Sequence, residues 1–185
     1  MAFLYPRHNQ AMRFALVVVV NVVSGVALGL WRGTSGWEML SPQEQLWIIA
    51  SLAIVWLVSF LLLRTNRRWI PAVASITLCL LFVVAAGKMF EPRLHMNFNG
   101  NGLLCWSRSL PAALLTALFA VVVLQPRRVV SIGLLAASAA ILSQTIYCPI
   151  VESRHIAQFH AGQLLVWPMV VALIVFSLRP STALR

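Results

Sequence analysis

Acid is what this sequence lacks most. It holds four glutamates against 14 lysines and arginines in 185 residues, and only 10% of the chain is charged. So few charges cannot cover a water-soluble domain that is 61% hydrophobic with a mean hydropathy of +0.88. Lipid must be the solvent for most of the chain. A vicinal Cys-x-x-Cys pair is also missing, which argues against thiol–disulfide exchange as the main chemistry. There is no glycine-rich phosphate loop, no low-complexity tract and no internal repeat. A net charge of +10 would suggest nucleic acid in a soluble protein. Here the basic residues fall between apolar runs, so membrane topology accounts for them and no direct nucleic-acid partner is expected.

What is present is apolar length. A bilayer-spanning helix needs about 20 apolar residues. Six runs reach that scale: Phe14–Trp31, Leu46–Leu63, Trp69–Gly87, Leu103–Leu124, Val129–Tyr147 and Ala161–Leu178. They predict an all-α, polytopic membrane protein, with residues 1–185 forming a single six-helix bundle. The first run has full span length and no clear small-x-small site, so it reads as a span and not a cleaved leader.

Basic residues set the orientation. With the N-terminus cytoplasmic, nine lie inside (Arg7, Arg13, Arg64, Arg67, Arg68, Arg127, Arg128, Arg179, Arg185) and five outside (Arg32, Lys88, Arg93, Arg108, Arg154). All four glutamates, Glu38, Glu44, Glu91 and Glu152, then lie outside. Both termini are therefore expected in the cytoplasm, with a short N-terminal segment 1–13 there. The tight connections RTNRR and QPRR make spans 2 and 3, and spans 4 and 5, antiparallel neighbours. Trp31, Trp37, Trp47, Trp69, Trp106 and Trp167 read as an aromatic belt at the interfaces. The small-residue run GLLAASAA in span 5 reads as a helix-packing face inside the molecule, with a homodimer face as the alternative.

Chemistry gathers on the outer side. Cys105 follows the NGNG turn at the start of span 4, and Cys148 ends span 5. Antiparallel packing lets the two approach, permitting a disulfide in an oxidising compartment. Cys79, in the middle of span 3, reads as a small buried hydrophobe. Glu152, His155 and His160 follow Cys148 closely, and His95 lies on the same side. Were the segment helical, with Pro149 in its first turn, positions 148, 152 and 155 would share a face and His160 would turn partly away. Thiolate and imidazole suit soft or borderline metals, so Cys105, Cys148, His155 and His160 are candidate ligands for a divalent ion at the outer face. The spacing matches no standard zinc motif, and a solvated hydrogen-bonding loop is the plain alternative. Arg108, one turn after Cys105, can lower a nearby thiol pKa, snorkel to the headgroups or pair with Glu152.

The stretch GLLCWSRSLPAALLTALFAVVVLQPRRVVSIGLLAASAAILSQTIYCPIVESRHIAQFH resembles the NrsF-like membrane anti-sigma factors of proteobacteria. Members of that family look like six-helix inner-membrane proteins. One cysteine opens their fourth helix, and a Cys-Pro closes the fifth. An acid, a histidine at plus seven and an aromatic–histidine pair at plus eleven and twelve follow. The matching positions here are Cys105, Cys148, Pro149, His155, Phe159 and His160; Glu152 stands one place late, and Phe159 stands for an expected tryptophan. The resemblance implies a negative regulator that holds an extracytoplasmic-function sigma factor at the bacterial inner membrane and senses metals or oxidants through periplasmic cysteines. It implies no enzyme activity. Partner binding would fall to the cytoplasmic segment and loops, with Arg7, Arg13, Arg67, Arg68, Arg127 and Arg128 as candidates. Two other functions compete. A thiol–disulfide oxidoreductase would want a vicinal cysteine pair. A metal-binding or transport protein would want charged residues near the midplane, where spans 1, 2, 3 and 6 have none and Asn21, Gln144 and Thr145 are modest substitutes.

Overall fold

A computed structural model describes residues 9–65, 69–89, 101–124, 128–148 and 155–177. All regular structure in them is helical. The helices are α1 (Gln10–Trp31), α2 (Ser35–Glu38), α3 (Pro42–Arg64), α4 (Trp69–Met89), α5 (Asn101–Val123), α6 (Val129–Tyr147) and α7 (Gln163–Ser177); a π-helical turn, Ile156–Ala161, leads into α7. Six of the helical segments are long and apolar enough to cross a membrane, as expected. A helix meets this demand because it satisfies its backbone polar groups internally, with no water to help.

The spans are unequal. In α6, 83% of the span is buried, against 28–39% in the other five. It is the central rod, touched by α1, α3, α5 and α7 along much of its length. Its small residues explain this position. Gly133 sits so close to α7 that a Cβ there would lie 2.3 Å from Pro168 Cα. From α1, Gly25 and Gly29 form a glycine pair four residues apart, and a Cβ on Gly29 would meet Ile146 Cβ at 2.8 Å. Lipid tails are as apolar as leucine, so close backbone approach, not burial of oil, favours such contacts. The run Gly133–Ala140 is fully enclosed, which makes GLLAASAA an internal packing face.

Polar groups join the spans at depth. Asn21 Nδ2 donates to the Leu135 carbonyl and to Ser138 Oγ, and Trp56 Nε1 donates to the same Ser138 Oγ at 3.0 Å. Ser24 and Thr116 hydroxyls meet at 3.2 Å, and Thr145 Oγ1 donates to the Ile141 carbonyl. Of the three polar residues weighed for transport, Asn21 is thus engaged in helix packing, and Thr145 bonds back within α6. Replacing Asn21 with alanine is expected to lower stability by about 0.6 kcal/mol, the mean for interhelical hydrogen bonds in lipid, and by at most about 1.7 kcal/mol. Reversible unfolding in mixed micelles measures it; no change would mean that the α1–α6 contact rests on the glycines alone.

The connection between α1 and α3 folds into the short helix α2. Gly33 turns the chain with φ of 114°, and Ser41 and Glu44 form a reciprocal capping box that starts α3. Not every tryptophan of the expected belt faces outward. Trp31 and Trp69 are exposed, but Trp167 is buried with its Nε1 donating to Gln163 Oε1 at 2.6 Å. Trp47 packs edge-on against Phe82 in the core. The helix face that these two occupy points them into the bundle.

Candidate thiol and metal centre

Cys105 lies in the first turn or so of α5, and Cys148 caps the end of α6. Because α5 and α6 are packed antiparallel along their length, these two ends meet. The two sulfurs are 2.8 Å apart and are not joined in a disulfide. Cys148 Sγ lies 3.3 Å from His155 Nε2. The ligand atoms of Cys105, Cys148 and His155 all fall within 4.8 Å of one another, and all three residues are buried. This group can hold a metal ion: it offers two soft sulfur donors and one imidazole, the set that zinc and its heavier relatives favour.

The π-helical turn decides where His160 goes. In an α-helix, residues five apart point about 140° away from each other. In a π-turn the bonding runs from i to i+5, and such residues stack. His155 and His160 accordingly meet with ring centroids 5.6 Å apart and planes at 71°. The expectation that His160 turns away is therefore corrected. His160 Nε2 is buried and has no hydrogen-bond partner among the described residues. Phe159 supports the other side of His155, at 5.0 Å between centroids. A second correction concerns continuity: Cys148 ends α6 in extended conformation, so Cys148 and His155 meet across a chain break in helicity and not along one helix face.

Residues the sequence did not flag hold the site in place. Tyr147 hydroxyl donates to the Cys105 carbonyl, and Cys105, Tyr147 and Cys148 form their own small buried cluster. Ser35 Oγ donates to the Tyr147 carbonyl at 3.0 Å. Gly36 lies against the end of α6, where an added Cβ would meet the Cys148 carbonyl oxygen at 2.5 Å and the Thr145 oxygen at 2.6 Å. Helix α2 is thus a lid on the backbone of Cys148. The glycine in RGTSGWE was the one available hint. One turn below Cys148, Gln144 is fully buried, and both of its amide atoms lack partners among the described residues.

The other expected participants divide. Arg108 is on the exposed side of α5. Cys79 is buried in the core and donates to the Ala161 carbonyl, apart from the thiol pair. At the opposite end of the bundle, Arg128 Nη1 donates to the Thr65 carbonyl, tying the α5–α6 connection to the end of α3, and Arg13 is half-buried. Arg7, Arg67, Arg68, His95, Arg127, Pro149 and Glu152 lie outside the described residues. In comparisons with family models, curated proteins and solved structures, nothing matched the chain.

Proposed function

We propose that this is a membrane-bound stress sensor that restrains an extracytoplasmic-function sigma factor, with the Cys105–Cys148–His155 group as its periplasmic input. The observation that carries the reading is the convergence of these three residues at one end of the α5–α6 pair, ligand atoms within 4.8 Å. The anti-sigma output rests on the resemblance of residues 102–160 to the NrsF-like family.

Either stimulus resets the separation of the sulfurs: a disulfide would draw them to about 2.05 Å, and a tetrahedral ion with sulfur bonds of about 2.3 Å would hold them about 3.8 Å apart. For a peroxide, the thiol pair gives up two protons and two electrons, forms the sulfur–sulfur bond, and the peroxide leaves as water. Helices of 23 and 19 residues carry the shift to the far connection, where Arg128 grips the α3 terminus. Moving a partner from mostly bound to mostly free takes about 5.5 kcal/mol of differential binding. A structural zinc site supplies about 10–16 kcal/mol in favourable peptides, enough to drive this. A thiol oxidoreductase would also use a close cysteine pair, but cysteines only 6% and 3% exposed, with a helical lid over Cys148, are poorly placed to meet a protein substrate.

Co-purification of the tagged full-length chain from bacterial membranes tests this. A sigma factor is expected on the untreated protein and absent after cadmium or peroxide. The Cys105→Ser, Cys148→Ser double variant should hold it under both treatments. No sigma factor under any condition would sink the output, and equal release from the double variant would sink the input.

A further inference from the structure

Helices α1 and α3 do not close on each other at the end of the bundle that carries the thiols. They leave a cleft of about 350 Å³ between them, within the size range of ligand pockets. Val26 and Ile49 stand on its two walls, Leu142 and Ile146 of α6 form the floor, Thr34 and Trp37 lie at the thiol end and Trp56 at the other. The cleft reaches down α1 as far as Val22, nine residues before the helix ends at Trp31. At the helical rise that is roughly 14 Å. One leaflet of hydrocarbon is about 15 Å deep, half of the 30 Å core. The cleft is therefore about as long as one leaflet is deep.

Water has no place in it. A buried water needs two to four polar partners; the lining offers the Thr34 hydroxyl, already donating to Glu38, and Trp56 Nε1, already donating to Ser138. Its rims continue directly into the lipid-facing surface: Val23 is 60% exposed and Leu57 58%. A second helix, about 10 Å wide with its side chains, is too broad to reach the floor, of which Leu142 is the half-buried, accessible part and Ile146 only 6% exposed. A single hydrocarbon chain is narrow enough to lie on Leu142.

We propose that the cleft is a lipid site: it takes one acyl chain of a phospholipid from the leaflet on the thiol face, seated between α1 and α3 on Leu142 and Ile146. The chain lies directly beneath Trp37, whose helix α2 is the lid on Cys148. Bilayer lipid thereby becomes part of the support of the thiol centre. The site stands independently of what the thiols sense.

The test is photolabelling of the full-length protein in phosphatidylethanolamine–phosphatidylglycerol vesicles doped with a phospholipid carrying a diazirine in its acyl chain. Light expels nitrogen, and the carbene inserts into the nearest C–H bond. Label is expected on Leu142 and Ile146 of the otherwise enclosed α6, as well as on Leu118 and Val122, which are exposed on α5. Val26→Trp fills the cleft and should abolish the α6 label while Leu118 and Val122 stay labelled. Ile49→Trp, at a position 54% exposed, does the same from the other wall should the first variant fail to fold. Labelled Leu118 and Val122 with a clean α6 in the wild type would overturn the proposal. So would α6 label that survives a folded tryptophan variant.

Discussion

Cadmium or zinc added to the purified full-length protein is expected to bind at one site per chain, and Cys105→Ser or Cys148→Ser to abolish it. Three donor atoms already lie within 4.8 Å of one another, so little rearrangement is needed before an ion can bind. Their burial means that the ion replaces its water shell with sulfur and nitrogen, which soft ions tolerate and magnesium or calcium do not. Removing a supporting group near a metal costs about 10–100-fold in affinity. Removing a sulfur ligand should exceed that, since serine offers a poor donor and leaves the remaining thiolate without its partner. His155→Ala should weaken binding comparably. His160→Ala tests whether the unpartnered Nε2 joins as a fourth ligand. Cys79→Ser is the control; its thiol packs in the core against the Ala161 carbonyl and should leave the titration unchanged. The thiolate–cadmium charge-transfer band reads all five variants directly. An identical band in wild type and in the double cysteine variant would remove the site from the protein.

Gly36→Val is expected to damage the same centre without touching a donor atom. Its Cβ would face three backbone atoms, the Cys148 oxygen and nitrogen and the Thr145 oxygen, at 2.5–2.8 Å. Backbone cannot swing aside as a side-chain tip can, so α2 must lift. Ser35 then loses its bond to the Tyr147 carbonyl, and Cys148 loses its cover. Overpacking of this kind costs about 1–3 kcal/mol. The expected signs are a lower unfolding midpoint, faster alkylation of Cys148 and weaker cadmium binding. Gly87 gives the contrast, because nothing lies within 4 Å of an added Cβ there. Gly87→Ala should be neutral or stabilise the protein by up to about 1 kcal/mol through helix propensity. Equal behaviour of the two glycine variants would show that α2 does not cover the thiols.

Hydropathy located the spans with little error. The run Val129–Tyr147 coincides with α6, and Trp69–Gly87 falls within α4. The largest discrepancies are at polar ends. Helix α3 begins at Pro42, four residues before Leu46, because the Ser41–Glu44 capping box extends it into the interface. The last run begins at Ala161 by composition, whereas helical structure already holds at His155 and continues as the π-turn. That Cys105 and Cys148 could approach was also legible, since two helices joined by a tight turn can bring their far ends together; the structure brings the sulfurs into contact. Neither α2 nor the lid function of Gly36 was legible, because a four-residue helix has no period to read.

By itself, the sequence determined the solvent, the number of spans and the end of the bundle where cysteine and histidine collect. Each of these depends on one segment at a time: a stretch is either apolar enough for hydrocarbon or it is not. The tertiary structure alone decided that α6 is the central rod, that His160 turns back toward His155, that Gly36 covers Cys148, and that α1 and α3 stand apart over a cleft. These depend on which faces meet. Inside a membrane hydrophobicity does not choose the faces, since every apolar side is equally at ease in lipid. Close contacts at Gly25, Gly29, Gly133 and Pro168, and the few hydrogen bonds around Asn21 and Ser138, choose them instead.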